Sequence, residues 1–323
     1  MSIMPFASRI LLPVVACLLA GCAAPPPSPT AVPLETQVRS ATWQTPYAAG
    51  VELTSAHYRV YSTATDRMLG RNLSAFMEAA RNNYLAMTGL DDVPTSEPMT
   101  IYMLGTREEW AALTRHVVKE HVELYLGIQA GGYCYRGVGV FWDIGRQASL
   151  SVAAHEGLHQ FLHHRLRSRL PMWLEEGLCT TAEGFDLYGN AVRFTPDANR
   201  ARFADLRKMI GRREWIPVKE LLPMDAGDAI ARNPYRSVGY YGQLWALVQF
   251  LRSRPDYRAS MHRLIRDAEK GRFALPNDTG EPLNGGRLYN RLVSEPLFRS
   301  YIADDLDAFD REFRTFALEL AKL

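Results

Sequence analysis

Apolar positions along the chain change their period several times. From His57 to Tyr61 polar and apolar residues alternate, the period of a half-buried strand. Between Asp66 and Leu90 the stripe Leu69, Leu73, Phe76, Met77, Ala80 and Tyr84 has helical spacing, and Gly89 is placed to close it. A strand is predicted over Pro98–Leu104 and a short helix over Thr106–His116. Gly131–Arg136 and Gly137–Trp142 read as a hairpin or as paired strands. Beyond residue 145 the pattern is mainly helical, with helices expected over 147–167, 172–184, 199–210, 238–253, 257–268 and 303–321. Asp186–Asp197 and Asn277–Asn290 read as loops. The body therefore divides into an N-terminal α/β part, 46–145, and a helical part, 146–323.

The first segment has a different character. Arg9 precedes an apolar run, Ile10–Ala20, shorter than the roughly 20 residues that span a bilayer. It reads as the apolar region of a secretory signal covering residues 1–21. The run ends in Leu19-Ala20-Gly21-Cys22, which resembles the lipobox of bacterial lipoproteins. The resemblance implies cleavage before Cys22, acylation of its thiol, and a lipid anchor in the cell envelope. With Ala rather than Asp at position 23 it points to the outer membrane, facing the periplasm. Residues 22–45, with Pro25, Pro26, Pro27, Pro29 and Pro33, read as an extended tether that builds no core.

Composition narrows the function classes. The 323 residues are 47% hydrophobic and 22% charged, ordinary for a globular protein. With 37 basic and 35 acidic residues the formal charge is +2, too small a field to suggest a nucleic-acid partner. Nothing in the pattern sets an oligomeric state. Of the 4 cysteines, Cys134 and Cys179 remain in the body. In an oxidising compartment they either pair or stay as two separate buried thiols.

The candidate chemistry lies in His155-Glu156-Gly157-Leu158-His159. Residues four apart on a helix sit one above the other, so two imidazoles can share one cation, with Glu156 beside a metal-bound water. His163 continues the series but lies ~6 Å further along the axis, out of reach of the same ion. A zinc site needs a third protein ligand and an open position. Seventeen residues after His159 stands Glu176, within Trp173-Leu174-Glu175-Glu176-Gly177, on what reads as a second, returning helix.

These residues resemble the gluzincin clan of metallopeptidases, particularly aminopeptidase N-like and peptidase-MA-like proteins, in which HExxH is followed by Trp-Leu-x-Glu-Gly. The resemblance covers residues 150–185. It implies a Zn²⁺ held by His155, His159 and Glu176, with Glu156 as general base. It also implies an α+β, thermolysin-like zincin fold: a small mixed sheet, an active-site helix and a mainly helical C-terminal part. The segment Tyr241-Gly242-Gln243-Leu244-Trp245 matches a helix of the same families, whose tyrosine hydrogen-bonds the oxyanion; carried over, that residue is Tyr241, with Tyr240 one register away. An edge strand, 131–136 or 137–142, is expected to pair with an extended peptide or protein substrate. The Gly-x-Met-Glu-Asn motif of strict aminopeptidases is absent. Thr180 and Glu183, on the returning helix, are expected to orient the imidazoles. Arg165, Arg167 and Arg169 read as a solvated basic turn. Two alternatives stay open: a zinc-binding but inactive lipoprotein that recognises proteins, and a hydrolase of cell-wall peptide crosslinks.

Overall fold

The computed structural model describes residues 30–34, 38–45, 49–129, 131–225, 227–228, 234–273, 275 and 284–322. The expected signal segment and the acylated Cys22 lie outside them. The fold is α+β, built on a mixed six-stranded sheet and twelve α-helices among the described residues.

The sheet begins earlier than the proline-rich composition suggests. β2 (Arg39–Gln44) pairs antiparallel with β3 (Ala49–Thr54), which pairs antiparallel with β4 (Tyr58–Ser62). β5 (Met99–Leu104) lies parallel to β4, and β7 (Val138–Trp142) parallel to β5. β6 (Gly132–Tyr135) closes the sheet antiparallel to β7, giving the order β2-β3-β4-β5-β7-β6. Residues 39–44 thus belong to the sheet rather than to a tether. Their side chains are almost all exposed, so a polar edge strand carries no alternating signal. A second sheet joins β1 (Val32–Pro33) to the hairpin β8 (Phe185–Tyr188) and β9 (Ala191–Phe194), in the stretch expected to be a loop.

Both faces of the main sheet are covered. On one, Tyr58, Val60, Met99, Ile101, Met103 and Phe141 meet α2 (Leu73–Thr88) and the N-terminal half of α5 (Arg146–Arg165). Short α1 (Arg67–Gly70) leads into α2, and its N-cap, Asp66, accepts from the backbone N–H of Met68 and Leu69. On the other face Leu104, Val140 and Trp142 pack with Trp110 and Leu113 of α3 (Arg107–Val117); α4 (Val122–Leu126) follows. The sheet is therefore the central layer of three.

The helical part forms a separate core around α9 (Pro234–Ser253). Leu244 to Val248, Phe250 and Leu251 are all buried, so α9 is apolar on every side over its second half, as a helix enclosed by others must be. Packed with it are α6 (Met172–Ala182), α7 (Arg200–Gly211), α8 (Val218–Leu221), α10 (Pro255–Glu269), α11 (Gly286–Tyr301) and α12 (Leu306–Leu320). Helix α11 is the element that periodicity missed. Gly285 precedes it, Gly286 is its first residue and Pro296 lies inside it, three residues that normally break a helical pattern.

Candidate metal centre and cleft

Helix α5 shares surface with both cores, and this places the His-Glu-x-x-His segment. Leu158, Phe161 and Leu162 are buried with α6 and the helical core, while Ala153 and Ala154 face the sheet. Gly157 permits the close approach of α2: a Cβ there would stand 2.4 Å from Met77 Cε and 2.7 Å from Tyr84 Oη. That hydroxyl donates to the Ala154 carbonyl at 2.8 Å, so it is fixed. Gly177 does the same between α6 and α9. A Cβ at Gly177 would meet Val248 Cγ2 at 2.6 Å and the Leu244 carbonyl oxygen at 2.9 Å. Both glycines of the motif set helix–helix distance.

Between α5 and α6 the chain turns through residues 166–171 and is held by α10 and α11. Ser168 N–H donates to the Ala268 carbonyl at 3.0 Å, and Tyr289 Oη donates to the Arg169 carbonyl at 2.8 Å. The Met172 N–H, unsatisfied at the start of α6, donates to Asn290 Oδ1 at 2.8 Å. The missed helix α11 therefore caps the second motif helix.

With the two helices held this way, one carboxylate faces both imidazoles. His155 Nε2 lies 3.5 Å from Glu176 Oε2, and His159 Nε2 lies 3.6 Å from Glu176 Oε1. The opposite ring nitrogens are held by other carboxylates. His155 Nδ1 is 2.8 Å from Glu183 Oε1, and His159 Nδ1 is 2.8 Å from Glu175 Oε1. Glu183 is anchored by Arg202, with Nε 2.9 Å from Oε2 and Nη2 2.8 Å from Oε1, and Asn199 Nδ2 donates to the same carboxylate at 3.1 Å.

The electrostatics follow from four glutamates around two rings in a mostly buried site. Burial lowers the basicity of His155, but the carboxylates of Glu176 and Glu183, one beside each ring nitrogen, outweigh it and push its pKa up to about 9. His159 is shifted upward against the same burial, by its contacts with Cys179, Glu176 and Glu175. Burial raises the Glu176 carboxyl, yet the two imidazoles win and hold it well below the usual range. Burial also raises Glu156; His159, His155 and a backbone hydrogen bond from Cys134 oppose this without cancelling it. The pocket thus favours positive charge where the two Nε2 atoms meet Glu176.

A cleft of about 370 Å³ opens over these groups, lined by Cys134, His155, Glu156, His159, Glu176, Tyr241 and Tyr289 among others. Of the two adjacent tyrosines, Tyr241 borders the cleft, with Arg202 Cζ 5.4 Å from its ring centroid. Tyr240 is fully buried and donates to the Met224 carbonyl at 3.2 Å. Burial, with Glu176 and Glu156 nearby, raises the Tyr241 pKa, so its phenol stays protonated. Of the two candidate strands β6 is the sheet edge, and its Tyr133 and Cys134 line the cleft.

One expectation needs correction, and one open alternative is decided. Thr180 does not orient an imidazole. Its hydroxyl turns back to the Glu176 and Gly177 carbonyls of its own helix, both at 2.9 Å, a local alternative always open to a helical threonine. Cys134 and Cys179 do not pair; both are free thiols. Helix α5 packs against β6 and against α6, so Cys134 sits by Glu156 and Cys179 by His159. Cys179 also offers a ligand atom within 4.8 Å of those of His155 and His159. Burial raises the Cys179 thiol, whereas the two imidazoles hold the Glu176 carboxyl well below the usual range. His163 turns away from the cleft to Arg169 Nη2, at 3.1 Å.

Glu175, Arg202, Asn199 and Asn290 were not expected at the site. Glu175 carried a signal, since it neighbours Glu176 one step around the helix. The other three come from elements too distant in sequence to place without the fold. No family model matches the chain, and no curated protein matches it.

Proposed function

We propose that the protein is a zinc-dependent peptidase whose metal is held by His155, His159 and Glu176. The observation that carries this reading is the two-sided arrangement of the imidazoles. Their Nε2 atoms converge on one carboxylate, while each Nδ1 is fixed by a separate carboxylate, the pattern by which proteins orient metal-binding histidines. The donor set also suits the ion. Two imidazoles and one carboxylate leave a fourth position open. Glu176 Oε2 is buried and has no hydrogen-bond partner among the described residues, a costly state for a carboxylate oxygen that a cation would relieve. The upward-shifted imidazoles show the same demand for positive charge.

A zinc ion held by His155, His159 and Glu176 would supply Lewis acidity, lowering the pKa of water there to about 7. The chain's own groups supply the rest. A peptide adds to the free edge of β6 as an extra strand, with its scissile carbonyl beside Cys134 and Glu156. Glu156, its basicity raised by burial, removes a proton as the water oxygen attacks the carbonyl carbon. Tyr241 donates a hydrogen bond to the developing oxyanion. As the C–N bond breaks, Glu156 returns the proton to the departing amine. No covalent enzyme intermediate is required.

The same proposal reads the fold as a thermolysin-like zincin of the gluzincin type, with β6 at the edge and α5 beneath the cleft. Location in the bacterial envelope through a lipid on Cys22 rests on the Leu19-Ala20-Gly21-Cys22 segment alone. Glu156→Gln tests the activity. Hydrolysis of casein or peptidoglycan peptides should fall by about 10²–10⁴-fold while metal content is retained. Unchanged hydrolysis would remove the peptidase reading.

A further inference from the structure

The candidate cleft ends at the tip of the β6–β7 hairpin, and a larger cavity of about 930 Å³ begins there. Arg136 and Gly137 line both. The walls of the larger cavity carry five cationic side chains, Arg81, Arg136, Arg165, Arg167 and Lys270, against two carboxylates, Glu97 and Glu269. One of those carboxylates is already engaged, since Glu269 Oε1 lies 2.6 Å from Arg165 Nη2. Arg81 is 1% exposed; it reaches Asp92 at 2.6 Å, but its Nε has no hydrogen-bond partner among the described residues. Arg136, Arg167 and Lys270 are exposed, and no ion pair joins any of them to a carboxylate among the described residues. The cavity therefore has an excess of unneutralised positive charge.

Arg136 is held in place at a conformational cost. Its φ is +49° and that of Gly137 is +78°. Positive φ at both central residues is what a type I′ hairpin turn requires, and Asn-Gly is the favoured pair. An arginine there is strained, and such strain is a reason to look for a role. The tip cannot drift: a Cβ on Gly137 would lie 2.6 Å from His163 Cδ2, so the turn rests directly on α5. The hairpin sets the distance to the chemistry: Cys134 lines the cleft beside Glu156, and Arg136, two residues further and just past the end of β6, lines both the cleft and the cavity.

We propose that this cavity is a subsite for a carboxylate two or three residues from the scissile bond, so that the protein prefers peptides with an acidic side chain or a terminal carboxylate at that distance. The proposal rests on the peptidase reading for its geometry, and its test separates the two. The full chain, supplied with zinc, is compared with its Arg136→Asn and Lys270→Gln variants. Arg136→Asn removes the charge while placing a turn-favoured residue before Gly137. Three labelled peptides are used: one with Glu at the proposed position and an amidated end, one neutral with a free terminal carboxylate at that distance, and one neutral and amidated. Binding is measured by anisotropy in a Glu156→Gln background, and cleavage in the parent background.

At least one carboxylate-bearing peptide binds about 10-fold more tightly than the neutral amide, the effect of one good charge-assisted hydrogen bond. Whichever of the two binds identifies the source of the carboxylate. The preference shrinks to within about 2-fold in both variants and weakens with added salt. Cleavage of the neutral amide with no binding preference would overturn the subsite and leave the peptidase reading standing. A preference abolished by Arg136→Asn, without cleavage of any peptide, would retain the subsite and overturn the peptidase reading.

Discussion

Glu183 Oε1 lies 2.8 Å from His155 Nδ1, on the side of the ring opposite Glu176. That one contact fixes the tautomer and the tilt of the imidazole, and Arg202 fixes Glu183 in turn through two hydrogen bonds. Replacing Glu183 by Gln keeps the shape and removes the charge. The expected result is a 10–100-fold loss of zinc affinity by chelator competition, with little change in secondary structure by circular dichroism. Unaltered affinity would show that Glu183 only stabilises the helix end.

Gly177 tests whether close packing positions the site. In an ordinary helix Gly→Ala stabilises by about 1 kcal/mol. Here the added methyl group meets the Leu244 carbonyl oxygen at 2.9 Å, a backbone atom that moves only with its helix. Overpacking costs about 1–3 kcal/mol, so the penalty wins. Gly177→Ala should lower the thermal midpoint and weaken metal binding, since Glu176 moves with α6. A raised midpoint with unchanged metal affinity would contradict this account.

The motif pair was readable from sequence because its geometry is local. Two histidines four apart share a face of any helix, and seventeen residues suffice for a turn and a return. The carboxylates at the two Nδ1 atoms were only half legible. Glu183 is expected there together with Thr180, whereas Glu175 carries no assigned role beside its neighbour Glu176. Nothing local shows that a threonine will bond its own helix. Arg202 and Asn290 reach the site from α7 and α11, so only the tertiary fold brings them in. The edge strand β2 escaped notice because its side chains are solvated, and α11 because glycines and a proline interrupt its pattern. No single strand reveals its place in the sheet order, which is why β6 and β7 could not be ranked until pairing was known.

Asp66 links α1 to the start of α5. Its carboxylate caps Met68 and Leu69 and also meets Arg146 Nη2 at 2.7 Å. The hydrogen bond from Arg146 and those from the two backbone N–H groups outweigh partial burial and hold its pKa below the ordinary value of 3.8. A depressed folded-state pKa gives stability that is fully present above the unfolded pKa and lost as pH falls through the folded one. Asp66→Ala should therefore cost about 0.5–2 kcal/mol in urea unfolding at pH 6. The gap between parent and variant should narrow below about pH 4. A gap that widens on acidification would refute the assignment.

The third ligand can be separated from its rival. Cys179→Ser removes the thiol near the imidazoles, and Glu176→Ala removes the carboxylate facing them. Zinc content should survive the first change and be lost with the second. The reverse pattern would assign the site to His155, His159 and Cys179.

The most direct test of the central claim is metal content by mass spectrometry on the full chain, purified without chelator and with zinc supplied, beside a His155→Ala/His159→Ala double variant. One zinc per chain in the parent and none in the variant is the predicted result. No zinc in either protein would contradict the account and leave the two imidazoles paired only with glutamates.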